Sequence, residues 1–219
     1  GYGECYLVFK KFIIVNGCTF DNNLPCIAEK EIVAVDSIAD ELLHYMVSEQ
    51  GCYMISKEEQ DALTEVVLKG GRLNRKCVGR DAKTLLGMIG ITVPDNIRCI
   101  TFEGPKEHPL IAEELMMPIL GVVRAKDFDD AVEQAVWLEH GNRHSAHIHS
   151  KNVDNITKYA KAIDTAILVK NGPSYAALGF GGEGYCTFTI ASRTGEGLTS
   201  ASTFTKRRRC VMTDSLCIR

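Results

Sequence analysis

The stretch that decides the fold is FDNNLPCIAEKEIVAVDSIADEL, residues 20–42. Residues 31–36, EIVAVD, form an apolar and β-branched run, which predicts a strand. The residues after this run predict a helix with Ser37 as its N-cap. A strand that leads directly into a helix is the repeating unit of an α/β fold.

One cysteine, Cys26, stands between a polar turn and this predicted strand. Residues 21–23 favour turn conformations, and Pro25 fixes its own φ and biases Leu24 toward an extended backbone. The thiol is therefore held in a defined place, which suits a nucleophile. The local pattern alone also fits a buried structural cysteine that packs as a small hydrophobe.

The alternation of strand and helix continues along the chain. Ser56 and Glu59 form a capping-box pattern for a helix that ends before Gly70, and another helix follows Asp81. Strands are expected near residues 98–102, 119–124, 166–170 and 207–213, and helices near 37–49, 129–139 and 153–163. These repeated units predict a largely parallel sheet covered by helices on both faces.

Composition excludes several classes of protein. The chain has 219 residues and 45% hydrophobic content, enough for a sizeable core in one domain or at most two. A net charge of −3 argues against bulk attraction to nucleic acid, and the basic run at residues 206–209 has no interleaved aromatic residues. We interpret that run as a solvated or inter-subunit strand edge.

The cysteines indicate a reducing compartment. Nine cysteines at irregular spacing include no CxxC pair, and no signal peptide is recognisable. No apolar run approaches the roughly 18 to 20 residues that a membrane span requires. The sequence therefore predicts a cytoplasmic protein, free in the cytosol or inside a protein shell within it.

Five segments resemble one known family, in the same order along the chain. The stretch around Cys26 resembles the nucleophile segment of the aldehyde dehydrogenase superfamily, in the form carried by its coenzyme A-acylating branch. The other segments are EHPLIAEELMMP from Glu107, LEHGNRHSAHIHSKN from Leu138, VKNGPSYAALGFGGEGYCTFTIA from Val169 and TGEGLTSASTFTKRRRCV from Thr194. The resemblance covers nearly everything after residue 16. It is closest to the aldehyde dehydrogenases of propanediol and ethanolamine utilisation, which implies a bacterial microcompartment as the protein shell.

The resemblance implies a thiol mechanism that uses NAD and coenzyme A (CoA). The thiolate of Cys26 would attack a short-chain aldehyde, a hydride would pass to NAD, and the resulting thioester would be transferred to CoA. The backbone N–H of Cys26 would help to stabilise the oxyanion. Glu114, in EELMMP, occupies the place of the glutamate that holds the nicotinamide ribose, and Met116 stands where an aromatic residue is usual. Without the resemblance, Glu114 fits a helix-surface carboxylate.

Further site residues are implied by the resemblance alone. Relatives that acylate CoA show a histidine where hydrolytic ones carry a small apolar residue, and His144 matches that histidine. An imidazole there could accept the proton of the incoming thiol, and Arg143 beside it could bind a phosphate of CoA. Asn171, Ser174 and Tyr175 are expected to line the aldehyde entrance. Taken without the resemblance, these three residues fit an ordinary turn.

Two motifs point to functions that we do not predict. The GxGxxG match at residues 179–184 lacks the preceding strand and following helix that would hold a pyrophosphate, so we expect a flexible loop near the substrate mouth. The HxxHxH motif of His144, His147 and His149 would suit a metal, but a tight site usually needs a third ligand and a supporting shell. We therefore predict no functional metal.

The chain departs from the family pattern at its ends. Family members have a further half that carries the nicotinamide-binding domain, so the isolated chain is expected to be inactive. We expect a non-matching leader over residues 1–15 and a catalytic domain over 16–200. A C-terminal helix and oligomerisation strand over 201–219 would join subunits into a homo-oligomer. Two alternatives stay open: a folded fragment that pairs through this strand without turnover, and a hydrolytic aldehyde dehydrogenase.

Overall fold

The computed structural model describes residues 13–190 and 197–213, along which helices and strands alternate. The helices are Ile13–Thr19 (α1), Asp36–Glu49 (α2), Lys57–Val67 (α3), Ala82–Met88 (α4), Pro109–Ala112 (α5), Phe128–Leu138 (α6) and Val153–Ile163 (α7). The strands are Glu31–Val35 (β1), Cys52–Met54 (β2), Leu68–Lys69 (β3), Arg72–Leu73 (β4), Cys99–Glu103 (β5), Ile119–Ala125 (β6), Ser145–Ile148 (β7) and Ile167–Lys170 (β8). Short 3₁₀ helices span Phe20–Asn23, Ser174–Leu178 and Ala201–Phe204.

Four parallel strands form the main sheet, in the order β1-β6-β5-β2. Val33 lies opposite Val123 in the β1–β6 pair, and Ile100 lies opposite Ile119 in the β5–β6 pair. A second parallel pair is formed by β7 and β8, and a short antiparallel hairpin by β3 and β4. The predicted α/β class with a largely parallel sheet is confirmed.

Helices cover both faces of the main sheet. On one face, α3 and α4 pack Leu63 and Leu86 into the same apolar cluster as Phe102 of β5. On the other face, α1 and α2 contribute Val15 and Met46 to a cluster with residues of β1 and β6. Strands buried on both faces need apolar residues at successive positions, as the EIVAVD run has. Among the described residues, no helix is both long enough and apolar enough to cross a membrane.

One predicted helix start differs from the structure. The second helix begins at Asp36, and its N-cap is Val35, which makes no side-chain capping hydrogen bond, so Ser37 is not the cap. The strand therefore runs directly into the helix. Residues 13–15 of the expected leader belong to α1, where Val15 is fully buried in the core. Residues 1–12 of the expected leader lie outside the described residues.

The strand predicted over residues 207–213 is not formed within the single chain. Residues 206–213 are exposed and carry no regular secondary structure, and no described strand lies beside them to complete a ladder. The helix expected in the same C-terminal segment is the short 3₁₀ turn Ala201–Phe204. The last part of the expected oligomerisation segment, residues 214–219, lies outside the described range.

Close packing requires glycine at position 121 in β6. A Cβ built on Gly121 would overlap the side chain of Ile111 in α5. We predict that Gly121→Ala lowers the free energy of unfolding by about 1–3 kcal/mol, the usual cost of overpacking a core, in urea denaturation.

Gly87 in α4 provides the matched control for this substitution. A Cβ there meets no atom within 4 Å. Because alanine is the better helix former, Gly87→Ala should raise stability by about 0.5–1 kcal/mol. A loss as large as that of Gly121→Ala would contradict the packing argument.

Candidate active site

The turn that precedes the candidate nucleophile is built from left-handed backbone. Residues 21–23 have φ values of 47°, 50° and 65°, a region that Asp and Asn tolerate better than other non-glycine residues. The buried side chain of Asn23 holds this turn in place. Its Nδ2 donates hydrogen bonds to the carbonyl oxygens of Cys18 at 2.9 Å and Glu29 at 2.8 Å. The turn is therefore fixed to α1 on one side and to the approach to β1 on the other.

Lys30 connects the same turn to a distant segment. Its Nζ donates to Oδ1 of Asn23 at 2.9 Å, lies 3.5 Å from the carbonyl oxygen of Pro25, and is 3.6 Å from Oε1 of Glu114. This ammonium places the exposed Glu114 carboxylate beside the nucleophile turn. Sequence reasoning singled out neither Asn23 nor Lys30. The run of turn-forming residues was the only available signal for Asn23, and Lys30 had none.

The two side chains predicted to be catalytic lie side by side. Cys26 is exposed, and its Sγ is 3.5 Å from Nε2 of His144, although 118 residues separate them in the sequence. The turn before β1 supplies the thiol, and the loop before β7 supplies the imidazole. A thiol within reach of a base is the arrangement of an activated nucleophile.

Arg143 and Met116 both have partners of their own. Their φ values are positive, 52° and 56°. The Arg143 guanidinium forms an ion pair with Asp164, the residue that caps the end of α7. The carbonyl oxygen of Met116 accepts a hydrogen bond from the N–H of Gly79 at 2.9 Å. A phosphate at Arg143 would therefore share the guanidinium with Asp164.

Two of the residues expected at the aldehyde entrance have different surroundings. The side-chain amide of Asn171 accepts from the N–H of Ser150 at 3.0 Å and donates to its carbonyl at 2.9 Å, which ties together the segments that follow β7 and β8. Tyr175 is half-buried, and its ring centroid lies 5.3 Å from that of Phe20. Both rings pack around Ile27, the neighbour of Cys26. Tyr175 thus lies near the nucleophile, and Asn171 is fixed by its two hydrogen bonds to Ser150.

Ser174 does not lie at an opening. It is 1% exposed, its N–H donates to Oε1 of Glu29 at 2.9 Å, and its hydroxyl donates to the carbonyl oxygen of Gly17 at 3.4 Å. Tertiary packing of α1 against the segment after β8 buries it. Ser174 is therefore packed between Glu29 and α1, and its expected contact with a substrate stays a prediction.

Glu29 is a buried carboxyl group directly beneath the nucleophile turn. Its Oε2 lies against Gly17 of α1, where a Cβ would overlap it. Burial raises the pKa of Glu29 from 4.5 to about 7, opposed by the hydrogen bond from Ser174 and the charge of Lys30. The carboxyl group therefore holds its proton across much of the acidic range.

We predict that Glu29→Gln flattens the pH dependence of stability. Because the native pKa lies above the unfolded value, the stabilisation is complete below about pH 4.5 and is lost as pH rises toward about 7. Glutamine cannot lose a proton, so the decline between these values should shrink by up to about 1.4 kcal/mol per pH unit. Urea denaturation at a series of pH values measures the free energy of unfolding of both chains.

An exposed helix residue supplies the control for that measurement. Glu65→Gln, on the surface of α3, should leave the shape of the curve unchanged. A residual decline is expected in Glu29→Gln, because burial also raises the pKa of Glu31 to about 7. Parallel curves for the original chain and Glu29→Gln would show that Glu29 ionises normally in the folded state.

Of the histidine motif, only His144 lies beside Cys26. The glycine motif lies near the turn through Phe180, whose ring centroid is 5.9 Å from that of Phe20. Residues 179–184 form an irregular loop after the 3₁₀ helix Ser174–Leu178, and Gly179 ends that helix with φ of 90°. Burial lowers the pKa of His147 to about 4. Within residues 13–190 and 197–213, no group of three His, Cys, Asp or Glu side chains is arranged to hold a metal.

Two cavities open on the surface, one of them bordered by the nucleophile turn. One of about 510 Å³ is lined by Glu103 and Arg124, at the carboxyl ends of β5 and β6. Another of about 520 Å³ is lined by Asn22, Asp81 and Arg98. Cys26 lines neither of these two cavities, and its thiol is exposed.

Sequence comparison places this geometry in a known family. A profile described as "Aldehyde dehydrogenase family" matches residues 96–205, which is half of the chain. The chain belongs to the aldehyde dehydrogenase family. The resemblance inferred from the five segments is confirmed.

Curated relatives in the aldehyde dehydrogenase family are longer than this chain. The acetylating acetaldehyde dehydrogenase EutE of Salmonella typhimurium is 46% identical over 208 residues, covering 92% of this chain and 44% of that protein. The CoA-propanoylating propanal dehydrogenase of the same organism is 44% identical over 207 residues, covering 94% of this chain and 44% of that protein. The chain thus spans about half the length of the curated relatives it matches.

Solved structures of the family share this fold. A propionaldehyde dehydrogenase from the fucose utilisation microcompartment of Clostridium phytofermentans superposes with a TM-score of 0.93 at 79% identity, covering 99% of this chain and 50% of that one. It has also been solved with one cysteine and, separately, one histidine replaced by alanine, at positions 118 residues apart. The Rhodopseudomonas palustris propionaldehyde dehydrogenase, with bound CoA and an acylated cysteine, has a TM-score of 0.89 at 53% identity, covering 95% and 47%.

Proposed function

We propose that the chain is the catalytic half of a CoA-acylating aldehyde dehydrogenase. It converts a short-chain aldehyde, CoA and NAD to an acyl-CoA and NADH through a thioester on Cys26. The observation that carries this proposal is the 3.5 Å approach of Cys26 Sγ to His144 Nε2 on an exposed turn. The 118-residue spacing of this pair equals that of the cysteine and histidine replaced in the Clostridium phytofermentans relative, which supports it.

Cys26 is the nucleophile of the proposed reaction. Its thiolate attacks the aldehyde carbonyl to form a thiohemiacetal, and the oxyanion is stabilised in part by the backbone N–H of Cys26. The acceptor of hydride is NAD when bound. The exposed carboxylate of Glu114 suits the two hydroxyl groups of a ribose, since a carboxylate is an acceptor only. Lys30 holds that carboxylate beside the turn.

His144 is the proposed proton acceptor. With a ring nitrogen 3.5 Å from Cys26 Sγ, it can take the proton of the Cys26 thiol, release it to solvent, and then take the proton of the CoA thiol. Arg143, although paired with Asp164, has five N–H donors, enough for a CoA phosphate as well. Met116 follows Glu114 closely and packs at the edge of the proposed nicotinamide site. Asn171 and Tyr175 shape the aldehyde side.

Location and assembly follow from the same relatives. We infer that the protein works in the cytoplasm inside a bacterial microcompartment, because the 79% identical relative comes from one. The C-terminal segment exposes Val211 and Met212 next to a basic run, with 75% and 61% of their surface accessible. Apolar residues in an unpaired extended segment favour pairing with another strand, so we infer a homo-oligomer through this segment.

Acyl transfer run in reverse tests the nucleophile and its base without a hydride acceptor. Propionyl-CoA should propionylate Cys26. The Cys26 thiolate attacks the thioester carbonyl of propionyl-CoA, and CoA leaves as its thiolate. The mass of the tryptic peptide of residues 12–30 should increase by one propionyl group. Cys26→Ala should abolish this label, and His144→Ala should slow it by about a hundredfold, the usual range for losing a general base.

Other labelled positions separate the competing functions. Cys186 and Cys210 are also exposed and provide internal controls. Equal labelling of all three thiols would contradict a built nucleophile. If iodoacetamide modifies Cys26 but propionyl-CoA does not propionylate it, the folded but non-catalytic fragment is favoured. Rapid hydrolysis of the acyl group with no return to added CoA would favour the hydrolytic enzyme.

A further inference from the structure

We propose that Ser145 is a positioning residue that sets the tautomer of His144. Its hydroxyl oxygen accepts a hydrogen bond from Nδ1–H, which leaves the lone pair of Nε2 for the thiol proton of Cys26. This inference rests on the proposed roles of Cys26 and His144 and adds a third member to that pair.

The geometry places one partner on each ring nitrogen of His144. Nδ1 lies 3.1 Å from Oγ of Ser145, and Nε2 lies 3.5 Å from Sγ of Cys26. Ser145 is the first residue of β7 and lies opposite Ile167 in the β7–β8 ladder. Its hydroxyl is therefore presented from a hydrogen-bonded strand.

The backbone of His144 is held by separate contacts. Its N–H donates to Oε1 of Glu139 at 3.1 Å, and its carbonyl oxygen accepts from the N–H of Ile167 at 3.1 Å. With both main-chain groups occupied, the remaining freedom of His144 is the rotation and tautomer of its ring. The hydrogen bond that one ring nitrogen makes determines which nitrogen carries the proton.

A serine suits both protonation states of this imidazole. In the neutral ring, Nδ1–H donates to Ser145 and Nε2 accepts the thiol proton. The S–H bond of Cys26 then breaks, an N–H bond forms at Nε2, and the electron pair stays on sulfur. In the resulting imidazolium, Nδ1–H still donates to Ser145 and Nε2–H donates to the thiolate. A hydroxyl oxygen accepts in both states, so the serine needs no rearrangement.

The test compares four variants by the rate at which iodoacetamide alkylates Cys26 in the 219-residue chain. Ser145→Ala should slow Cys26 about two- to tenfold, the effect of losing one ordinary hydrogen bond. Ser145→Thr keeps the hydroxyl and suits a strand, so its rate should stay within about twofold of the original. His144→Ala should be slower than Ser145→Ala, and adding Ser145→Ala to it should change nothing further, because Ser145 acts through the imidazole.

Exposed Cys186 in the same digests reports any general change in folding or reagent. Its rate should be the same in all four variants. Chemical shifts of nitrogen-15 in the labelled His144 ring give a direct second measurement. They should show a proton mainly on Nδ1 in the original chain and in Ser145→Thr, and a redistributed one in Ser145→Ala.

Three results would overturn the inference. Ser145→Thr could slow Cys26 as much as Ser145→Ala, which would show that the hydroxyl is not the active feature. Ser145→Ala could slow Cys26 equally without His144, or leave its rate and the ring shifts unchanged. Alkylation needs no aldehyde, NAD or CoA. The alkylation rates can therefore be interpreted even if the propionylation test fails.

Discussion

The site depends on a strained turn that one buried amide holds in place. Three consecutive non-glycine residues adopt positive φ, a combination that a free chain rarely samples and that only surrounding contacts can maintain. The side chain of Asn23 supplies those contacts by donating to the carbonyl oxygens of Cys18 and Glu29 and accepting from Lys30. The helix before the turn and the strand after it are thereby connected through one side chain. The direction in which Cys26 points follows from that connection.

Sheet topology alone would misplace the site. Ligands of open parallel sheets usually bind beyond the carboxyl ends of the strands. Here those ends hold an ion-pair network in which Arg124 bonds Asp36, Asp40 and Glu103 at 2.7 to 3.1 Å. Cys26 instead precedes β1, at the amino end of the sheet. One guanidinium faces three carboxylates there, whereas the candidate nucleophile lies at the opposite end of the strands.

The sequence predicted what local physics determines. The β-branched run of β1, the capping box of Ser56 and Glu59, and the N-cap Asp81 are observed because each depends on residues within one turn or strand. The burial of Ser174 against Glu29 and the ion pair of Lys30 with Glu114 each join residues more than 80 positions apart. No local pattern therefore encodes them. The strand predicted over residues 207–213 is absent for the same reason. Its β propensity is local, but a strand also needs a second strand to pair with, and no described strand lies beside it.

The burial of Glu29 and Glu31 sets the charge balance around the turn. Lys30 is a single ammonium that faces Glu114 across the turn and also acts on Glu29 and Glu31. Were all three carboxyl groups ionised at neutral pH, a single ammonium would face three negative charges around the turn. Desolvation raises the pKa of Glu29 and Glu31 to about 7, so each keeps part of its proton there. The positive charge of Lys30 is then shared mainly between Glu114 and the turn that carries Cys26.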